Sequence, residues 1–120
     1  MNITIERIYD FRKRKRHPGE YAVLVDRLWP RGVVKESIEF DEWLKQLTPS
    51  NELRKWFNHE PEKLEQFTLK YRKELDEQGD ELKRLAEISE KKKLVLLYAA
   101  KDPKVNHAIA LKKIIADSLG

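Results

Sequence analysis

Two runs of five apolar residues, Tyr21-Ala22-Val23-Leu24-Val25 and Leu94-Val95-Leu96-Leu97-Tyr98, set the fold class. Neither alternates apolar with polar, so each suits a strand buried on both faces, the habit of parallel pairing. Upstream, Asn2–Tyr9 alternates through Ile3 and Ile5 and reads as a further strand. Between the strands the period changes. Thr48-Pro49 reads as an N-cap with proline at the first helical position, opening a helix that turns Leu53, Trp56 and Phe57 inward and stops before Pro61. Pro61 starts the next helix, with Leu64, Phe67, Tyr71 and Leu75 at spacings of three and four, ending at Gln78-Gly79. Asp80 caps another, with Leu82, Leu85, Ala86 and Ser89 inward and Lys91-Lys92-Lys93 at its negative end. Asp102-Pro103 repeats the cap and proline ahead of a last helix carrying Val105, Ala108, Ile109, Lys112, Ile115 and Leu119 on one face. Ser37–Leu47 reads as a short irregular or helical piece around Trp43. The expected architecture is α/β: a small, mostly parallel three-stranded sheet, strands 2–8, 21–25 and 94–98, packed with four to five helices.

The 120 residues fit one domain, 1–120, without linkers or repeats. With no cysteine, disulfides, thiolate metal sites and thiol nucleophiles are excluded. No apolar run long enough to span a membrane and no signal-peptide pattern occurs, so a soluble, cytoplasmic protein without a membrane partner is expected. Charged residues make up 38%, and the abundance of Lys and Glu resembles proteins from hot environments. The net charge is +4, but Arg12, Lys13, Arg14, Lys15 and Arg16 are consecutive; removing these five from the net leaves the rest at −1. The run either touches phosphates, as nucleic-acid binding requires, or is a solvated loop tip between strands.

Ligands of open parallel sheets bind beyond the carboxyl ends of the strands. Here those ends carry Tyr9-Asp10, then Asp26-Arg27 with Trp29 and Arg31, then Tyr98 with Lys101-Asp102. If all three strands run parallel, carboxylates, cations and aromatics gather at one edge; an antiparallel first strand would remove Tyr9-Asp10 from it. Asp26 suits a general base, a nucleophile or a metal ligand, or else caps the following turn or pairs with an arginine. Arg27 and Arg31 suit bidentate capture of phosphate or carboxylate, or pair with Asp10 or Asp26. Trp29 either stacks on a base or sugar or plugs the core beneath its loop. His107 and His59 suit acid–base or metal-ligand roles, or are satisfied polar groups. Carboxylates at Asp10, Asp26 and Asp102 suit hard cations, but no spacing is diagnostic of a metal. No HExxH, Gly-rich phosphate loop or GxSxG is present, which argues against zincins, P-loop enzymes, dinucleotide-binding Rossmann domains and serine hydrolases. No cofactor is specified.

The strings Val25-Asp26-Arg27-Leu28-Trp29-Pro30-Arg31-Gly32, Thr48-Pro49-Ser50 with Leu53-Arg54, Phe57 with His59, and Leu96-Leu97-Tyr98-Ala99-Ala100-Lys101-Asp102 with Asn106-His107-Ala108 run the length of the chain. In these residues it resembles the YeaO-like family of small bacterial and archaeal proteins, a domain of unknown function. The resemblance implies a small cytoplasmic α/β domain and carries over Arg7, Tyr9, Asp10, Asp26, Arg27, Trp29, Pro30, Arg31, Gly32, Arg54, His59, Tyr98, Lys101, Asp102 and His107. It implies no mechanism. The functional expectation is binding of a small anionic ligand such as a nucleotide or sugar phosphate at the strand edge. Tyr9, Asp10, Arg27, Trp29, Arg31, Tyr98 and Lys101 would contact it. Asp26 and His107 would supply acid–base chemistry if a hydrolytic or glycosyl-transfer reaction occurs. The alternatives are a nucleic-acid contact through residues 12–16 and a pocket-free assembly domain whose charged motif is an internal ion-pair network.

Overall fold

The computed structural model describes residues 1–119. Four strands form one sheet: β1 (Ile3–Arg7), β2 (Glu20–Leu24), β3 (Glu42–Trp43) and β4 (Lys93–Tyr98), in the order β1-β4-β2-β3. Every pairing is parallel, including that of β1 with β4. The sheet has one strand more than the three expected. β3 adds two residues to the free edge of β2, inside the stretch expected to be irregular or helical.

β4 is central and buried along five of its six residues, which is why its sequence is continuously apolar. Successive side chains leave on opposite faces. Leu94, Leu96 and Tyr98 join a core with Phe57, Phe67, Tyr71, Leu85 and Leu111 from the helices. Val95 and Leu97 join a smaller core with Ile8, Phe11, Val33 and Ile38. Each fully buried leucine contributes about 2 kcal/mol by removal from water.

Five α-helices accompany the sheet: α1 (Ile8–Phe11), α2 (Asn51–Phe57), α3 (Leu64–Glu74), α4 (Gly79–Lys91) and α5 (His107–Ala116). Their starts differ from the sequence expectation in an instructive way. α2 is capped by Ser50, whose Oγ accepts from the Leu53 N–H at 3.1 Å, not by Thr48; the Thr48 hydroxyl donates to the Lys45 carbonyl instead. α5 is capped by the buried Asn106, whose Oδ1 accepts from the Ile109 N–H. Asp102 closes only a turn, accepting from the Lys104 and Val105 N–H groups. Capping residues also close turns, so two competing caps close in sequence are decided by packing. α4 begins at Gly79, one residue before the expected cap, and Asp80 lies in its first turn, where a carboxylate complements the helix dipole. Two inward faces shift as well. Lys112 is exposed while Leu111 and Ile114 are buried. Trp56 faces outward, with the ammonium groups of Lys63 and Lys70 at 5.1 and 5.0 Å from its ring. No described helix is long and apolar enough to cross a membrane.

Candidate functional site

Register fixes the site. Arg7 lies level with Tyr98, and Leu24 with Leu97. Three strands therefore release their next residues at one level of one edge. Beyond that edge lies a cleft of about 700 Å³. Tyr9, Asp26, Arg27, Trp29 and Arg31, expected at the site from the strand ends, all line it, as does the candidate histidine His107 of the last helix. So do His59, a candidate acid–base or metal-binding histidine, and Arg54, which the resemblance supplied.

At the closed end, Asp26 and His107 form a fixed pair. Asp26 Oδ2 accepts from the Ala99 N–H at 2.9 Å. Its Oδ1 is 3.4 Å from His107 Nε2, and that nitrogen is 2.7 Å from the Val25 carbonyl oxygen. A carbonyl cannot donate, so Nε2 carries the proton and donates it. In the neutral ring Nδ1 is then the acceptor, and it has no protein partner among the described residues. Among the described residues no buried side-chain polar atom lacks a hydrogen bond, so Nδ1 reaches solvent. The Asp26 carbonyl is held as well, by the indole N–H of Trp43 at 2.7 Å.

The loop after β2 makes one wall. The Trp29 indole N–H donates to the Val33 carbonyl at 2.6 Å, and its ring packs 5.7 Å from Phe40 and 5.4 Å from Trp43. Trp29 thus packs beneath its loop, one of its two expected roles, while remaining partly exposed in the cleft lining. Tyr9 ties the same loop down: its hydroxyl donates to the Arg31 carbonyl at 2.8 Å, and Arg12 donates to the Gly32 carbonyl at 3.2 Å. Gly32 has φ +78°, a left-handed turn that glycine accepts without strain. Arg7 holds the wall after β4, donating to the carbonyls of Ala99 and Ala100. The guanidiniums of Arg7 and Arg12 lie 4.5 and 5.4 Å from the Tyr9 ring, so one cluster ties both walls.

The opposite wall comes from α2 and the residues after it. Lys55, Asn51 and Asn58 line it together with Arg54 and His59. Beneath, Phe57 and Phe67 stack at 4.2 Å. Reading strand ends alone missed this wall, because it is carried by a helix. Asn58 and His59 both have positive φ, 48° and 54°. Asn58 is the left-handed cap of α2, and His59 continues the left-handed backbone by one residue.

Four cationic side chains therefore converge on the cleft, from Arg27, Arg31, Arg54 and Lys55, against the single carboxylate of Asp26. Among the described residues none of these four forms an ion pair, so the expected alternative pairing of Arg27 and Arg31 with Asp10 or Asp26 does not occur. Asp10 is exposed and Lys101 points outside the lining. Tyr98 is buried beneath the cleft rather than lining it, and burial pushes its hydroxyl above the ordinary tyrosine value. Asp102 serves its turn. No group of three or more His, Asp or Glu side chains among the described residues is placed to hold a metal ion.

The basic run is not a free tip. Arg14 bridges Glu6 and the buried Glu20 at 2.9 and 2.7 Å. Arg16 pairs with Asp41 at 2.6 Å and donates to two backbone carbonyls. In this run only the ammonium groups of Lys13 and Lys15 have no protein partner among the described residues.

The family model described as the inactive DUF488-N3 subclade matches residues 2–120. The uncharacterized protein YeaO of Escherichia coli (strain K12) is 46% identical over 115 residues, covering 92% of this chain and 94% of that protein. The uncharacterized protein Rv3073c of Mycobacterium tuberculosis (strain H37Rv) is 32% identical over 93 residues, 78% of each. No solved structure matches the chain. The resemblance read from the VDRLWPRG string thus holds along the whole chain, which belongs to the YeaO-like proteins of the inactive DUF488-N3 subclade.

Proposed function

We propose that the cleft binds a small anionic ligand of the nucleotide or sugar-phosphate class, without turning it over. One observation carries this reading: four cations and one carboxylate meet in a concave site, and none of the four cations forms an ion pair among the described residues. Like charges repel, and a cleft with low-dielectric walls concentrates their field. Two guanidiniums on a loop pinned at both ends are preorganised for bidentate contacts. The aromatic floor of Phe57 and Phe67 would lower the local dielectric beneath the anion.

Two points favour binding over hydrolysis or glycosyl transfer. One Asp26 oxygen accepts from the Ala99 N–H and the other lies 3.4 Å from His107 Nε2, so the carboxylate is engaged inside the protein rather than waiting as a free base. The subclade is also described as inactive. A thermal-shift panel of nucleotides, sugar phosphates, nucleobases and divalent metals tests the proposal. A ligand at a hundred times its dissociation constant adds about 2.7 kcal/mol, a rise of roughly 10 °C for this length. A phosphorylated hit that disappears in Arg27→Ala supports the reading. A blank across all phosphorylated compounds refutes it.

A further inference from the structure

The polar groups of the cleft are sorted by depth. At the mouth, the exposed side chains of Arg27, Arg31, Arg54 and Lys55 only donate; none has an acceptor atom. At the closed end, Asp26 and His107 are only 14% and 15% exposed. Their groups not already used inside the protein only accept. The carboxylate has no proton to give. The His107 tautomer is fixed by the 2.7 Å contact of Nε2 with the Val25 carbonyl, which leaves Nδ1 as an acceptor open to solvent. A simple anion satisfies the mouth and leaves the closed end with nothing but water.

We infer that the ligand is a phosphorylated polyol or sugar whose phosphate meets the arginines at the mouth and whose hydroxyl donates to His107 Nδ1, with Asp26 as the neighbouring acceptor. This rests on the anion-binding reading of the same cleft and adds its polarity. A hydroxyl suits the closed end better than an ammonium, because the carboxylate there is already partly neutralised by the Ala99 and His107 donors. An unmet acceptor in a partly dry site penalises ligands that lack the matching donor.

The test is calorimetric titration with inorganic phosphate, ribose-5-phosphate and phosphoethanolamine, on the wild type and on His107→Phe. The expected result is ribose-5-phosphate binding about tenfold tighter than phosphate, the order of one or two neutral hydrogen bonds. In His107→Phe that ratio should fall to within about threefold, since a phenyl ring has no acceptor. Equal affinity of phosphate and ribose-5-phosphate in the wild type overturns the hydroxyl assignment and leaves the anion site standing. Tightest binding of phosphoethanolamine replaces the hydroxyl by an ammonium and also overturns it. A ratio unchanged in His107→Phe removes His107 from the contact. Failure of all three compounds to bind overturns this inference and the anion site together. If His107→Phe does not fold, long-range proton–nitrogen NMR on the wild type decides. The Nδ1 resonance must move with ribose-5-phosphate and stay still with phosphate; any other pattern refutes the contact.

Discussion

Replacing Arg14 by alanine should unfold the protein at a markedly lower temperature, although Arg14 lies in a run of five surface cations. Its guanidinium is bidentate to Glu6, with Nε and Nη2 both at 2.9 Å, and reaches Glu20 from Nη1 and Nη2 at 3.1 and 2.7 Å. The Glu20 side chain is 1% exposed. Removing one partner of a buried pair costs about 3–5 kcal/mol, because the other charge is left desolvated. Here the lower end applies: the His17 N–H still donates to Glu20 at 2.9 Å, and Arg14 itself is 28% exposed. At about 2.1 cal/mol/K per residue, 120 residues give an unfolding entropy near 0.25 kcal/mol/K, so a loss of about 3 kcal/mol lowers Tm by roughly 12 °C. Lys13→Ala and Lys15→Ala, with no partners, should stay within about 0.5 kcal/mol of wild type. The double variant Arg14→Ala/Glu20→Gln should recover about 2 kcal/mol, since the orphaned charge is gone. Urea denaturation and calorimetry on the four proteins measure this. If Arg14→Ala unfolds with the same midpoint as Lys13→Ala, the bridge contributes nothing and the run is a solvated tip.

Acid should weaken the fold through the same pair. Hydrogen bonds from Arg14 hold the Glu20 carboxyl below the ordinary value of 4.5, and Arg84 does the same for Glu42. Both folded-state values are depressed, so their stabilisation is complete above the ordinary range and fades as pH falls through it. Tm should drop on acidification below about pH 4.5, and Glu20→Gln should flatten that slope; an identical slope in the variant contradicts the assignment. His59→Gly should raise stability by about 1 kcal/mol by relieving its left-handed backbone, while weakening phosphate binding several-fold; reduced stability by denaturant titration would mean that the ring contact with Phe57 outweighs the strain. Tyr9→Phe deletes the bond to the Arg31 carbonyl but keeps the ring. It should cost about 1 kcal/mol and loosen the loop, so calorimetry should find weaker anion binding, and wild-type affinity would show that Tyr9 does not position Arg31.

Much of the fold could be read from the chain because its physical signals are local. Apolar runs without alternation marked β2 and β4, and β1 showed its alternation. β3 left no such trace: two residues, Glu42 and Trp43, are defined by the edge of β2 they join, not by their own pattern. Helix starts were misplaced where two capping residues competed, Thr48 against Ser50 and Asp102 against Asn106; which one caps depends on burial, invisible before packing. Trp56 faces outward while its neighbour Phe57 is buried, a choice between adjacent apolar residues that packing makes and the pattern alone does not show. At the site, strand ends predicted one wall and missed the other, because α2 crosses the same edge from far along the sequence. The pairing of Arg14 with a glutamate buried at the start of β2 was likewise hidden, since a basic run reads as a surface until a buried carboxylate is found beneath it.

The central claim is that anions bind at this cleft and not at the basic run. Titrating the isotopically labelled protein with ribose-5-phosphate and following backbone amide shifts tests it directly. The account predicts shifts concentrated in residues 26–32, 54–59 and 99–107, abolished in Arg27→Ala/Arg31→Ala. Shifts confined to residues 12–16, or persisting in the double variant, would contradict it.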